Sequence, residues 1–189
     1  KISADKTARA SATILAKMDS TFGLAMTELE LVHDKQLPLH ELSRRRCGWR
    51  TYSQKTVFTN GVFDLIHPGH LTYLAQAAGL GQRLIVGVNA DASVRRLKGP
   101  ERPVMPLEAR MQLLASLFFV DGVIAFEEDT PLELIKALRP DVLVKGGDYV
   151  VEEIVGYPEV RSWGGEVTTL PFVDGHSSTS IIEQLRQLV

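Results

Sequence analysis

The sequence predicts an α/β protein with a Rossmann-like, doubly wound parallel sheet that follows an N-terminal helical extension. Three observations support this fold class. Short runs of apolar, β-branched residues recur after residue 52 and have the composition of buried strands. Segments with helical spacing separate these runs, so that strand and helix alternate. Residues 1–52 show helical spacing instead.

Residues 1–52 are predicted to form the helical extension, and residues 53–189 the α/β domain. A first helical pattern ends at Gly23, and a second stretch begins at Pro38 and passes through Leu39 and Leu42. This segment carries no recognisable chemistry and is too short for a second enzyme domain. We interpret it as a helical arm, an oligomer contact or the tail of a neighbouring module. The first pattern consists of Ala8, Ala12, Leu15, Met18 and Phe22.

The α/β domain is predicted to contain five strands and four main helices. The strands are expected at residues 56–59, 84–88, 122–126, 142–144 and 166–170. The helices are expected at residues 69–80, 107–119, 131–138 and 178–188. Alternation of this kind requires right-handed crossovers, which cover both faces of a parallel sheet. Ligands of such sheets bind beyond the carboxyl ends of the strands, where every motif described below falls.

Composition favours small molecules as partners. Lysine and arginine number 21 against 23 acidic residues, so the net charge is −2, and we expect neither nucleic acid nor a membrane as a partner. The single Cys47 rules out an intrachain disulfide and fits a reducing compartment. No apolar stretch approaches a membrane span, and residues 1–5 lack the apolar core of a signal peptide. These features predict a cytoplasmic protein.

The segment TNGVFDLIHPGH, residues 59–70, ends the first strand and opens the first helix. His67 and His70 are three residues apart, so both rings can face one side of the first helical turn, beside free backbone N–H groups. Gly69 leaves room for a phosphate, and Gly61 permits a tight turn or a close backbone approach. The pattern therefore indicates a phosphate site that stabilises growing negative charge.

Two other interpretations of the histidines stay open. Each can be an ordinary structural histidine, and a pair three residues apart can also bind a metal. Metal binding is the weaker alternative, because no third ligand stands at a recognisable spacing and Asp64 is the nearest candidate. Other phosphate signatures are missing: the sequence has no P-loop, and GLGQRL at residues 79–84 lacks the third glycine of a dinucleotide fingerprint.

The HPGH segment resembles the H-x-G-H signature of the nucleotidylyltransferase superfamily, which includes cytidylyltransferases and adenylyltransferases. Further segments resemble the heptose 1-phosphate adenylyltransferases, which make ADP-heptose for bacterial surface polysaccharide, either alone or fused to a heptose kinase. The resemblance extends from about Lys55 to Leu188. It rests on NADASVRRLKG (89–99), RPV (102–104), PLEARM (106–111), EEDTP (127–131), KGGDY (145–149) and SST (177–179).

The resemblance implies a nucleotidylyltransferase-type sheet and a role for each matching residue. His67, His70 and Lys98 are expected to be catalytic, the histidines by holding the triphosphate. The acceptor is expected to contact Asp91, Lys98 and Arg102. The nucleotide is expected to contact the two histidines together with Thr59, Asn60, Gly61, Phe63, Arg110, Gly146, Gly147, Asp148, Ser177, Ser178 and Thr179. ATP, a sugar 1-phosphate, Mg²⁺ bound to the triphosphate and a homodimeric assembly are implied as well.

Several of these residues have ordinary structural alternatives. Lys98 can be a solvated loop lysine, Arg110 a solvent-facing arginine, and Asp91 a helix cap. The glycine pair can form a simple turn, and the SST segment can cap the last helix without a ligand.

The sequence also departs from the family pattern at three positions. Val62 and His176 replace a common cysteine, and Met105 replaces a usual asparagine. With Pro106 expected at the first helical position, Met105 stands at the cap and cannot accept an N–H bond, so we expect this helix start to be weak or held differently.

The leading hypothesis is transfer of AMP from ATP to a heptose 1-phosphate. The alternatives are a cytidylyltransferase that acts on glycerol 3-phosphate or another phosphorylated alcohol, and a nucleotide-binding module without catalysis.

Overall fold

The computed structural model describes residues 26–171 and 178–187 and confirms the predicted fold class. Five strands form one parallel sheet in the order β3-β2-β1-β4-β5. They are β1 (Thr56–Gly61), β2 (Arg83–Asn89), β3 (Gly122–Phe126), β4 (Val142–Gly146) and β5 (Glu166–Leu170). The helices of the described residues are α1 (Glu28–Asp34), α2 (Leu39–Thr51), α3 (Pro68–Ala78), α4 (Asp91–Lys98), α5 (Leu107–Ser116), α6 (Leu132–Leu138), α7 (Tyr157–Ser162) and α8 (Ser178–Arg186), and a 3-10 turn spans Val151–Glu153.

The chain divides into two compact units, Lys1–Asp34 and Lys35–Val189. The described part of the first unit contains helix α1, which begins with a capping box. The hydroxyl of Thr27 accepts the Glu30 N–H at 3.2 Å, and the Glu30 carboxylate accepts the Thr27 N–H at 2.6 Å. The helical pattern predicted from Ala8 to Phe22 lies outside the described residues.

The second unit begins earlier than the predicted boundary between residues 52 and 53. The Lys35 carbonyl accepts the Val123 N–H at 2.8 Å, and the Leu37 N–H donates to the Val123 carbonyl at 3.0 Å. Helix α2 then places the fully buried Leu42 against Gly122, where an added Cβ would lie 2.9 Å from a Leu42 methyl group. Residues 35–51 therefore belong to the core of the α/β unit.

The strand order is that of a doubly wound sheet, because the chain reverses direction at β1. From β1 it proceeds through α3 to β2 and through α4 and α5 to β3, and from there it returns through α6 to β4 and through α7 to β5. Right-handed crossovers in opposite directions place these two groups of helices on opposite faces. The main apolar cluster includes Leu42, Phe58, Ile135 and Leu143 and packs α2 and α6 against the sheet.

The crevice between β1 and β4 is the point where the chain reverses direction. Phe58 of β1 lies in register with Leu143 of β4, and both strands run parallel towards the same edge. Open α/β sheets bind ligands at the carboxyl edge of such a switch point. A ligand site is therefore expected at the ends of β1 and β4. No helix of the described residues is long and apolar enough to cross a membrane.

Candidate active site

The loop after β1 is shaped by the close contact of Gly61 with Phe63. Phe63 is buried and has a positive φ of 49°, which non-glycine residues seldom adopt. A Cβ atom at Gly61 would lie 3.0 Å from the Phe63 ring, so any larger residue would require the ring to shift. The ring in turn meets the edge of His70 at a centroid distance of 5.4 Å. The Gly61 of the motif thus supports the placement of a histidine.

His67 and His70 are brought together at the start of helix α3. His67 is the N-cap residue, and Pro68 follows at the first helical position with the fixed φ that a helix start requires. The imidazole rings stack at a centroid distance of 3.8 Å with an interplanar angle of 27°. No side chain caps this helix. Pro68 has no N–H and the His70 N–H donates to the His67 carbonyl at 2.9 Å, so the first turn offers the Gly69 N–H and the positive dipole end to an anion.

His70 is a neutral imidazole at pH 7 in the ligand-free site. The pKa of His70 is lowered to about 4, mainly by burial and in addition by the neighbouring His67 and the charge of Lys98, while the Leu65 carbonyl opposes the shift. The charge of Lys98 thus acts on His70. Lys98 itself is the exposed last residue of α4, and Gly99 follows with a φ of 97°. The structure thus brings His67 and His70 together, and Lys98 contributes to the electrostatics of His70.

Asp64 connects the histidine loop, residues 62–67 between β1 and α3, to the segment that follows Lys98. Its carboxylate, almost fully buried, accepts hydrogen bonds from Arg102 Nε at 2.6 Å, from the Val104 N–H at 3.0 Å and from the Met105 N–H at 2.9 Å. Burial raises the pKa of Asp64, but these three donors outweigh it and the net shift is downward. Asp64 is therefore an anion bound within the protein, a role that spacing alone did not reveal.

The start of helix α5 differs from the expectation at two positions. Pro106 is the N-cap residue and the helix begins at Leu107, so Met105 is not the cap. The Met105 N–H donates to Asp64 instead. The segment that precedes α5 is thus held by a carboxylate from the loop after β1.

Arg110 is fully buried beneath the site, so the solvent-facing alternative is wrong. Its guanidinium donates to the carbonyls of Met105, Val62 and Asn89 at 3.0, 2.6 and 2.9 Å. It also pairs with the Asp91 carboxylate at 2.7 Å. These bonds join the ends of β1 and β2 to helix α5. The contact of Arg110 with the nucleotide stays a prediction. The Arg110 guanidinium would have to make that contact in addition to its four hydrogen bonds inside the protein.

Asp91 and Arg102 have their closest contacts within the protein. Asp91 occupies the first position of α4 after the N-cap Ala90 and pairs with Arg110, so it is not the cap that the structural alternative proposed. Arg102 uses Nε on Asp64. Their contact with an acceptor substrate stays a prediction.

Thr59 and Asn60 at the end of β1 face different partners. The Thr59 hydroxyl lies 2.6 Å from the Tyr73 hydroxyl, which donates to the Val144 carbonyl at 3.3 Å. This buried arrangement connects β1 and β4 with α3, so the Thr59 side chain serves the scaffold. The Asn60 side-chain oxygen lies 3.4 Å from Lys145 Nζ. The predicted contacts of both residues with a nucleotide stay predictions.

The KGGD segment forms the end of β4 and the turn after it. Gly146 and Gly147 are buried, and Gly147 has a φ of 110° while its N–H donates to the Leu170 carbonyl at 2.9 Å. Asp148 is exposed beyond them. Glycine is needed at residue 147 because a side chain would be strained at this φ. Lys145 was not among the predicted site residues, although the same segment contains it.

Helix α8 begins at the histidine loop. The Ser178 hydroxyl donates to the Leu65 carbonyl at 2.9 Å, which places the start of the last helix beside the loop that leads to His67. Thr179 is in the helix, but its side chain, like all of Ser177 and His176, lies outside the described residues. Ser178 of the SST segment thus lies beside the loop that precedes His67.

The described residues contain no group of three histidine, cysteine or acidic side chains that could hold a metal ion. Asp64, the third ligand considered for the histidines, is already bound to Arg102 and two backbone amides. A magnesium ion at this site would therefore take most of its ligands from the phosphate oxygens of a substrate.

Comparison with known proteins identifies the family of the chain. The family model described as cytidylyltransferase-like matches residues 58–184. The chain is 55% identical over 138 residues to the bifunctional protein HldE of Hahella chejuensis, covering 73% of this chain and 29% of that protein. It is 52% identical over 165 residues to the bifunctional protein HldE of Escherichia coli O157:H7, covering 87% of this chain and 34% of that protein. The chain thus spans about a third of the length of these relatives.

A solved structure has the same fold. The lipopolysaccharide core biosynthesis protein of Thermoplasma volcanium matches with a TM-score of 0.53 and 28% identity, covering 64% of this chain and 97% of that chain. The matched range includes residues 58–61 of β1, both histidines, Lys98 and the KGGD segment. The chain belongs to the cytidylyltransferase-like family of nucleotidyltransferases.

Proposed function

We propose that this chain transfers AMP from ATP to a heptose 1-phosphate, producing ADP-heptose and pyrophosphate. The observation that carries the proposal is the stacked pair of His67 and His70 at the uncapped start of α3, at the carboxyl edge of the switch point. The extended motif resemblance narrows nucleotidyl transfer to a sugar 1-phosphate. The identity of 52% to 55% to bifunctional HldE proteins supports the same assignment.

The reaction needs no protein base. At neutral pH an oxygen of the sugar phosphate is already an anion and can attack the α-phosphorus of ATP. A new P–O bond forms as the bond between the α-phosphorus and the oxygen bridging to the β-phosphate breaks, and pyrophosphate leaves with that oxygen. The protein has to orient the two phosphates and stabilise the charge that develops on the α-phosphate and the leaving group.

The residues of the site can supply this stabilisation. The Gly69 N–H in the first turn of α3 can donate to a phosphate, each imidazole can do so from a protonated ring nitrogen, and Lys98 adds a positive charge from the end of α4. His70 enters the reaction neutral, and a bound triphosphate raises its pKa because an anion favours the protonated ring. Magnesium bound to the triphosphate would neutralise further charge.

The substrate panel tests the proposal directly. The protein is incubated with Mg²⁺, each nucleoside triphosphate in turn and heptose 1-phosphate, and pyrophosphate is measured. ATP is expected to give release, and His67→Ala and His70→Ala are each expected to lower turnover by two orders of magnitude or more, on the order expected for lost transition-state stabilisers. The exposed His40→Ala is the matched control and is expected to keep normal turnover. Normal turnover in both site variants would remove the histidines from the mechanism.

The same panel decides between ATP and CTP. A cytidylyltransferase acting on glycerol 3-phosphate or another phosphorylated alcohol is the second candidate, because the matching family model is described by that chemistry. Release with CTP and glycerol 3-phosphate but not with ATP and heptose 1-phosphate would select it. Tight ATP binding in calorimetry without release from any pair would select the nucleotide-binding module without catalysis.

The setting of the enzyme is part of the proposal. We propose a cytoplasmic homodimer that acts on small molecules and binds neither nucleic acid nor membrane. The near balance of charge, −2 in total, supports the absence of a polyanionic partner. Light scattering of the purified chain tests the dimer, and a mass equal to one chain would contradict it.

A further inference from the structure

Lys145 is a partly buried cation that the site described so far does not use. It lies near the end of β4, and its ammonium makes one hydrogen bond within the described part of the chain, at 3.4 Å to the side-chain oxygen of Asn60. It forms no ion pair with any described carboxylate, and no charged group of the described residues shifts its pKa. Burial alone lowers the pKa of Lys145.

Three buried or partly buried arginines of the described residues pair with an aspartate, whereas the buried Arg46 donates to the Arg139 carbonyl. The three pairs are Arg83–Asp121 at 2.8 Å, Arg102–Asp64 at 2.6 Å and Arg110–Asp91 at 2.7 Å. Moving an ammonium out of water costs several kcal/mol unless an anion or several acceptors replace the solvent. The single hydrogen bond of 3.4 Å to the Asn60 amide oxygen replaces little of the lost hydration. Lys145 thus has hydrogen-bonding capacity that the described residues leave unused.

The position of Lys145 in the sheet points to a ligand. Asn60 and Lys145 each stand two residues beyond the paired Phe58 and Leu143, so they lie on one face at the carboxyl edge of β1 and β4. This edge is the switch point, where parallel sheets of this type bind their ligands. The loop that begins after β1 leads from the same edge to the histidine pair.

We propose that Lys145 is a phosphate-binding residue of the active site, which completes its coordination on a phosphate of the nucleotide or on the phosphate of the acceptor. Both substrates carry the anion that the ammonium lacks, and in the free protein Asn60 holds the amine in place. This inference rests on the proposed function for the identity of the two phosphates. Its chemistry requires only that an anionic phosphate enter the crevice.

Binding measurements on two variants and a control test the inference. Calorimetry gives the dissociation constants of ATP with Mg²⁺ and of heptose 1-phosphate for the unsubstituted chain, Lys145→Met, Lys145→Arg and Lys136→Met. Lys145→Met keeps the length of the side chain without its charge, and we expect it to weaken one of the two ligands about tenfold or more, as for a lost charge-assisted hydrogen bond. The ligand that is weakened identifies which phosphate Lys145 binds.

The two companion variants separate charge from fold. Lys145→Arg retains the charge and is expected to recover part of the affinity. Lys136 is exposed and pairs with Glu133 on the surface of α6, so Lys136→Met is expected to leave both dissociation constants unchanged. The ligand-free melting temperature of Lys145→Met is expected to equal or exceed that of the unsubstituted chain, since a partly buried cation without an anionic partner is removed.

Two results would overturn the inference. Unchanged dissociation constants for both ligands in Lys145→Met would show that the amine does not bind phosphate, whatever happens to turnover. A lowered melting temperature together with loss of both ligands would assign Lys145 to the scaffold. Failure of the proposed function is distinguishable, because a chain that binds ATP without releasing pyrophosphate still reports on Lys145.

Discussion

The Asp64 carboxylate offers a stringent test of how the site is built, because Asp64→Asn changes its charge and almost nothing of its shape. Oδ2 accepts bonds from Arg102 Nε and the Val104 N–H, and Oδ1 accepts the Met105 N–H. An asparagine can keep one oxygen on the first two donors, but its NH2 group then faces the Met105 N–H. The substitution therefore leaves one buried donor without an acceptor and Arg102 without its counterion.

The expected loss of stability follows from these two effects. A buried unsatisfied N–H costs about 1–3 kcal/mol, and the charge-assisted part of the Arg102 bond adds about 1 kcal/mol. The sum is about 3 kcal/mol, which lowers the melting temperature of a domain of this size by roughly 6–12 °C. Since Arg102, Val104 and Met105 follow Lys98 in the chain, turnover is expected to fall as well, through loss of the loop geometry.

Urea unfolding of the full chain measures the first effect, and pyrophosphate release measures the second. The matched control is Asp129→Asn, which removes a carboxylate that pairs with Arg96 at 2.7 Å on the surface and is expected to cost less than about 1 kcal/mol. A free energy of unfolding for Asp64→Asn within about 0.5 kcal/mol of the unsubstituted chain would refute the reasoning, since surface substitutions fall in that range.

Three further predictions concern other parts of the site. Arg110→Met removes four hydrogen bonds and leaves Asp91 without its buried partner, so urea unfolding is expected to show a loss of about 3–5 kcal/mol; a loss below 1 kcal/mol would contradict the bracing role. Gly61→Ala places a Cβ 3.0 Å from the Phe63 ring. The displaced ring is expected to raise the dissociation constant of ATP in calorimetry, while the melting temperature changes little. The pKa of His70 is lowered from 6.5 to about 4 in the folded state, so the unfolded chain takes up the proton first as the pH falls. The stability that His70 contributes is complete above pH 6.5 and is lost towards pH 4, and His70→Asn is expected to show a smaller fall in unfolding free energy between pH 7 and pH 5. Equal falls in both proteins would contradict the lowered pKa.

The sheet was predictable from the sequence because its strands are buried on both faces and read as continuous apolar runs. β2 has six consecutive buried residues, and the structure extends the predicted strand by only one residue at each end. Helix α4 was not among the four main helices predicted, because DASVRRLK is only eight residues long and buries only Ser93 and Val94. Helix α2 was assigned to an extension because the sequence does not show that Leu42 packs against Gly122.

In the candidate site, residues close in sequence could be predicted, whereas contacts between residues distant in sequence could not. His67 and His70 could be recognised as a pair because they are three residues apart on one helical turn. The bond from Arg102 to Asp64 spans 38 residues and that from Arg110 to the Val62 carbonyl spans 48, so neither leaves a pattern in local spacing. The contact between Asn60 and Lys145 joins two neighbouring strands across 85 residues, and only the strand order reveals it.

The measurement that tests the central claim most directly is pyrophosphate release from ATP, Mg²⁺ and heptose 1-phosphate, with His70→Ala and the control His40→Ala assayed in parallel. We expect pyrophosphate release with the unsubstituted chain and with His40→Ala. With His70→Ala we expect turnover to be lower by about two orders of magnitude or more. Absence of release from the unsubstituted chain with every nucleoside triphosphate, or equal turnover in all three proteins, would contradict this claim.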